Sequence, residues 1–139
     1  MGDIIIVAVK AVIVFKGKAL IIQRSASDEV GANSWEFAGG KLDFGEDLEA
    51  ALKREVYEET GLDVDVEKLL YATTFKTSEY RQIVIISYLC IADNNNVMLS
   101  DEHQNYFWAD KIQLLKMLPE PLINDFNKNN IWHVLDNIC

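Results

Sequence analysis

The chain has 139 residues, 50% of them apolar and 25% charged, a length that suits one globular domain and is short for two. Its formal charge of −9 at pH 7 argues against a nucleic-acid duplex as partner, because phosphate backbones are bound through basic surfaces. A small anionic substrate stays open, since a metal ion reverses the local sign of an acidic site.

Ile4 to Phe15 is rich in Ile and Val and broken only by Lys10, which reads as a buried strand. Its apolar start, Ile4 to Val9, is too short to span a membrane, and with Asp3 before it the run lacks the basic start of a signal peptide. A turn at Lys16-Gly17-Lys18 leads to a second β-like run, Ala19 to Gln23, and the two suggest a hairpin. Arg24 to Ser34 is polar and without period, a loop. Trp35-Glu36-Phe37 is a short strand entering Gly39-Gly40, and Lys41 to Gly45 is a further loop.

From Asp47 to Thr60 the period changes. Leu48, Ala51, Leu52 and Val56 recur at three- and four-residue spacing, one apolar helical stripe, and Gly61 stops it. Two β runs follow, Val64 to Lys76 and Gln82 to Ile91, around a polar turn near Ser78 to Arg81. Asp93 to Asn96 is a loop and Asn105 to Ala109 a short strand. Lys111 to Leu118 and Leu122 to Leu135 read as one or two helices interrupted by Pro119 and Pro121. The pattern predicts an α/β (α+β) class, a mixed sheet with helices on its faces, in a single domain over 1–139. Cys90, within an apolar run, and Cys139, the last residue, form neither a disulfide framework nor a zinc-spaced cluster, which favours a reducing, cytoplasmic setting.

The chemistry concentrates on the helix. Glu55 lies three and four residues before Glu58 and Glu59, so the three carboxylates share one face. They occupy the last turns, where the helix dipole disfavours acids. Arg54 can pair with Glu58, but one cation does not balance three carboxylates. A hard divalent cation such as Mg²⁺ or Mn²⁺ would, and it shares coordination readily with phosphates. The competing reading is an ordinary solvated helix face. The preceding glycine loop, Ala38-Gly39-Gly40, shifts the balance toward a site, because glycine lets backbone approach a bound anion or metal.

These residues resemble a known family. Gly40 to Leu62, GKLDFGEDLEAALKREVYEETGL, is similar to the Nudix box: Gly, five residues, Glu, seven residues, Arg-Glu, an aliphatic, any residue, Glu-Glu, any residue, Gly, an aliphatic. Gly40, Glu46, Arg54, Glu55, Val56, Glu58, Glu59, Gly61 and Leu62 meet every specified position. The resemblance implies an α/β/α sandwich and metal-dependent hydrolysis of a nucleoside diphosphate linked to another moiety. Carried over, it makes Glu55, Glu58, Glu59 and the Gly40 carbonyl metal ligands. Arg54 then holds the glutamates in place, and Glu46 supports the loop–helix geometry.

Ile22 to Lys41 resembles the MutT-like branch, which converts nucleoside triphosphates to monophosphates; WEFAGGK is close to its EFPGGK. That likeness places Phe37 where a ring packs near the base, and Arg81 where a basic side chain reaches the substrate. Arg24 and Lys41 join them as expected substrate contacts. Glu102 resembles an acidic loop residue that binds metal or acts as base, with an ordinary surface carboxylate as the equal alternative and Asp101 as a substitute. His103 reads as a surface residue, and Trp108, Phe75 and Tyr80 as packing residues, with a pocket-lining place as the alternative for each.

Two departures bear on the base. Arg24-Ser25 stands where oxidised-nucleotide sanitisers resembling this chain carry Arg-Arg, and Pro119 stands where they carry the Asn that reads a purine edge. Alternatives within the family are dinucleoside polyphosphate or nucleotide-sugar hydrolysis; a non-catalytic nucleotide sensor would be expected to lose box glutamates. Isoprenoid diphosphate isomerisation would need a positioned cysteine. The expected partner is a small nucleotide, with a homodimer left open.

Overall fold

The computed structural model describes residues 2–136. Strand β1 (Ile4–Phe15) organises the rest, because its side chains alternate between two buried faces. Val9, Ala11 and Ile13 enter one core and Val12 and Val14 the other, all nearly or wholly inaccessible to solvent. Burial on both faces is why the segment reads as a continuous apolar run.

The elements follow in the order β2 (Lys18–Arg24), β3 (Trp35–Glu36), β4 (Ala38–Lys41), α1 (Leu48–Thr60), β5 (Asp65–Ser78), β6 (Arg81–Ile91), β7 (His103–Ala109), α2 (Lys111–Met117) and α3 (Glu120–Asn129), then a 3₁₀ turn at Trp132–Asp136. The seven strands form one mixed sheet ordered β3-β2-β1-β6-β5, with β4 also on β1 and β7 also on β2. β6 runs parallel to β1 from Ile4↔Arg81 to Val14↔Ile91. Antiparallel β4 takes part of the opposite edge of β1, pairing Lys10 with Gly39 and Val9 with Gly40.

Helix α1 covers one face of the sheet, where Leu52 and Val56 meet Ile13, Leu20 and Ile22. α2 and α3 cover the other, where Leu114 and Phe126 meet Val14 and Ile21. Full burial of aliphatic side chains of this size contributes about 1.5–3 kcal/mol each. The result is the expected α/β/α sandwich. Among the described residues no helix is long and apolar enough to cross a membrane.

Local readings shift at four places. Gly39 and Gly40 lie within strand β4, held there by β1. β7 begins at His103, two residues before the expected Asn105, through a bulge against Arg24. Pro121 stands in the first turn of α3, where a missing N–H is harmless, so it starts that helix. The expected Leu122 to Leu135 helix stops at Asn129, because Asn130 turns left-handed at φ 54°. Cys90 is a buried free thiol pushed up to about 12, chiefly by burial; Cys139 lies outside the described residues.

Candidate active site

Helix α1 is fixed at its C-terminal end from two directions. Gly61, left-handed at φ 73°, donates its N–H to the Tyr57 carbonyl. The following loop supplies donors to carbonyls that the helix leaves open: Met98 N–H reaches Thr60 O at 2.8 Å and Ser100 N–H reaches Glu59 O at 3.2 Å. The segment containing Asp101 and Glu102 is thereby tied to the acidic end of the helix.

The two glycines of β4 are required by different contacts. Gly39 has φ 148°, and a Cβ there would strike the Val9 carbonyl. A Cβ on Gly40 would overlap the carboxylate of Glu55. Strand and helix thus approach so closely that carboxylate packs on bare backbone.

Arg54 binds the outer carboxylates. Its Nε–H and an Nη2–H donate to the two oxygens of Glu46 at 2.7 and 2.8 Å, a bidentate pair. Nη1 donates to Glu55 at 3.0 Å and to Glu58 at 3.4 Å, and Nη2 to the Lys41 carbonyl at 3.4 Å. The Arg54 hydrogen bonds, with the Asp43 N–H, hold the Glu46 carboxyl down to about 2. In turn Glu46 raises the Arg54 guanidinium above its already high range. The repulsion expected among Glu55, Glu58 and Glu59 is therefore relieved for the first two by Arg54.

Glu59 takes a separate path inward. It is 8% exposed and, among the described residues, accepts one hydrogen bond, from Gly39 N–H at 2.8 Å. Burial raises its carboxyl to about 7, against that bond and the nearby Lys10 and His103.

Behind it lies a second cluster, centred on Glu36. Its carboxylate receives His103 Nε2–H at 2.8 Å and an Arg24 Nη1–H at 3.3 Å, with Lys10 Nζ at 3.6 Å. Burial alone would raise Glu36; the bond from His103 and the charges of Lys10 and Arg24 overcome it and lower it to about 2. Lys10 also donates to the Phe37 carbonyl at 3.3 Å.

Both clusters border one cleft of about 890 Å³, large enough for a nucleotide, with Arg54 and Glu46 set back from its wall. Glu55, Glu58, Glu59 and Gly40 line one part of it, with Lys41, Arg81 and Glu102 also on its walls. Ile83, Ile85 and Phe75 line an apolar part, where Pro119 and Leu122 of the α2–α3 region also reach the cleft.

Several expected roles change. Phe37 does not face the cleft: it is 3% exposed and stacks on Phe126 at 5.5 Å, because alternation past β3 turns it into the α3-side core. Arg24 lines the cleft, but its guanidinium is engaged by Glu36, Asp28 and the Val30 carbonyl, so it orders the 25–34 loop. His103 is buried, not on the surface. Phe75 and Tyr80 are substantially exposed, whereas Trp108 packs on Phe15. Lys10 and Glu36 join the site, which their sequence positions alone do not show. The charge of Lys10 within an apolar strand was the available signal.

A divalent cation suits these donors in kind. The carboxylates are hard oxygen ligands, Gly40 brings backbone against one of them, and Glu59 is buried with a single hydrogen bond. Among the described residues, however, no three such side chains already converge on one point. Arg54 draws Glu55 and Glu58 one way while Gly39 holds Glu59 another.

The NUDIX domain model matches residues 5–128. A CTP pyrophosphohydrolase of Escherichia coli K12 is 33% identical over 109 residues, 78% of each chain. A nucleoside triphosphatase NudI of E. coli O139:H28 is 29% identical over 102 residues, 66% of this chain and 72% of that protein. The crystal structure of a MutT protein from Methanosarcina mazei Go1 superposes with a TM-score of 0.82 at 28% identity, covering 94% of this chain and 96% of that one.

Proposed function

We propose, because this chain belongs to the NUDIX family and is a hydrolase of that family, that its substrate is a nucleoside triphosphate, cut by water to the monophosphate and pyrophosphate. The observation that carries this reading is the cleft itself. A part lined by Glu55, Glu58 and Glu59 shares one volume with the apolar part of Ile83, Ile85 and Phe75, matching a charged phosphate chain joined to a flat base. The relatives named for CTP and nucleoside triphosphates support the same class.

In this reading Glu55, Glu58, Glu59 and the Gly40 carbonyl hold Mg²⁺ or Mn²⁺, with Glu102 as a further ligand or as the base. The cation, when bound, supplies charge neutralisation of the phosphates and activation of the attacking water. Arg54 is a positioning residue that keeps Glu46, Glu55 and Glu58 together. Lys41 and Arg81 meet the substrate's anionic or polar groups. The chain 1–139 acts as one domain in a reducing, cytoplasmic setting, alone or as a homodimer.

A substrate panel with Mg²⁺ tests this: normal and oxidised nucleoside triphosphates, ADP-ribose and diadenosine polyphosphates, with products separated by chromatography. The expected result is monophosphate plus pyrophosphate from at least one nucleoside triphosphate. Orthophosphate alone from every active substrate counts against the reaction, and inactivity throughout favours a nucleotide sensor. Pro119 reaches the cleft without an amide side chain. The preference for 8-oxo-dGTP over dGTP should therefore stay below about a thousandfold in kcat/KM, equivalent to about 4 kcal/mol.

A further inference from the structure

The loop that carries Glu102 packs Val97 and Leu99 against the α1-side core, and at its end the buried His103 ties it to the interior by a side-chain hydrogen bond. The His103 side chain is 3% exposed, the neighbouring Asp101 and Glu102 are exposed, and its Nε2 meets Glu36 Oε2 at 2.8 Å across 67 residues of sequence. A carboxylate only accepts, so Nε2 carries a proton, and Nδ1 is buried with no hydrogen-bond partner among the described residues. The ring is thus held by one directional bond. Glu36, its acceptor, is itself fixed by Arg24 from β2 and Lys10 from β1, so the anchor point is rigid.

The loop's backbone is tied elsewhere. Ser100 N–H binds the Glu59 carbonyl, His103 N–H binds the Ser100 carbonyl at 3.3 Å, and Ser25 N–H binds the Glu102 carbonyl at 3.3 Å. Glu36 stands three residues before Gly39, whose N–H holds the Glu59 carboxylate. A closed circuit therefore runs from Glu59 through the loop to His103, across to Glu36, and along the strand back to Glu59. Glu102 hangs from it beside His103.

We propose that His103 is a positioning residue, which through its bond to Glu36 sets where the Glu102 carboxylate stands relative to Glu59. This rests on the reading of Glu102 as a working residue of the hydrolytic site. The role needs only a donor at the Nε2 position. A Gln amide can occupy that place, an Asn amide is too short to reach Glu36, and Ala offers nothing.

The experiment compares His103→Gln, His103→Asn and His103→Ala with wild type in steady-state hydrolysis under Mg²⁺, each alone and combined with Glu102→Gln. Melting curves confirm that every variant is folded at the assay temperature. Misplacement of a reacting group by about 1 Å can cost a hundredfold. His103→Asn and His103→Ala are expected to lose kcat by that order, with KM moved less than about threefold. His103→Gln should recover at least about tenfold of the loss. Glu102→Gln should slow wild type by more than about tenfold but the Ala variant by less than about threefold, because a displaced carboxylate has little left to lose. Equal loss in Gln and Asn variants, or full kcat in a folded His103→Ala protein, overturns the proposal while leaving Glu102 a working residue. Full activity of Glu102→Gln in wild type overturns the reading of Glu102 itself, and the proposal with it.

Discussion

Arg54 and Glu36 stand at the centres of two charge clusters on the same cleft, and their compositions are inverted. Arg54 is one cation among Asp43, Glu46, Glu55 and Glu58, at the open side, with Glu58 still 57% exposed. Glu36 is one carboxylate facing Lys10, Arg24 and His103, and only 18% of its side chain is exposed. The first cluster carries surplus negative charge near solvent, where an arriving cation can re-sort it. The second is closed, buried and rigid, which suits a frame. Glu59 joins them: it belongs to the helix of Arg54 but lies buried toward the cluster of Glu36.

The largest expected effect follows from that junction. Glu59→Gln removes one ligand and one buried acid together, and should lower kcat/KM by about 10²–10³-fold. Mg²⁺ at a hundred times its Kd should stabilise wild type by about 2.7 kcal/mol, raising Tm by roughly 5–10 °C, with equal ionic strength from NaCl doing less. The Gln variant should gain little from Mg²⁺, yet melt no lower than wild type in chelator. Equal metal stabilisation of both proteins would mean that the helix is not the metal site.

Next in size is the pH dependence without metal, where the two carboxylates act in opposite directions. Glu59 has a folded value of about 7 against 4.5 ordinarily, so the folded state holds the proton more tightly and stability falls as pH rises between those values. The loss approaches about 3 kcal/mol above pH 7. Glu36 is lowered to about 2, so its contribution is complete above 4.5 and is lost as pH falls toward 2. Denaturant titrations in chelator should show a maximum near pH 4.5 that Glu59→Gln flattens on the alkaline side and Glu36→Gln makes shallower on the acid side, where Glu46, also held to about 2, keeps part of the slope. A Glu59→Gln protein with an undiminished alkaline slope would assign that slope to another group.

The smallest effect separates scaffold from substrate contact within the Glu36 cluster. Arg24→Lys keeps a cation near Glu36 but loses the guanidinium fork that also reaches Asp28 and the Val30 carbonyl. It should destabilise by about 1 kcal/mol, with KM changed less than about threefold. A KM raised more than about tenfold at unchanged Tm would make Arg24 a substrate contact after all.

Much of this was legible in the sequence because it is local. Alternation and Ile/Val content marked β1 and β2, the Leu48–Val56 stripe marked α1, and Gly61 marked its end. Arg54, Glu55, Glu58 and Glu59 share one helix, so spacing alone was enough to bring them together. What spacing could not show is how a residue meets another strand. Lys10, Glu36 and His103 come from β1, β3 and β7, and their contact depends on β4 pairing with β1 and on β7 pairing with β2. Phe37 turns inward because a strand's period gives two faces but not which lies under a helix, and His103 turns inward because β7 begins two residues early, at a bulge against Arg24. The sequence by itself determined the first strands, the acidic helix and a mixed sheet with helices on its faces, because helix and strand periods act between near neighbours. The tertiary structure alone decided that Glu59 is buried and that Glu36 binds His103, because burial and ion pairing depend on neighbours that only cross-strand register brings within reach.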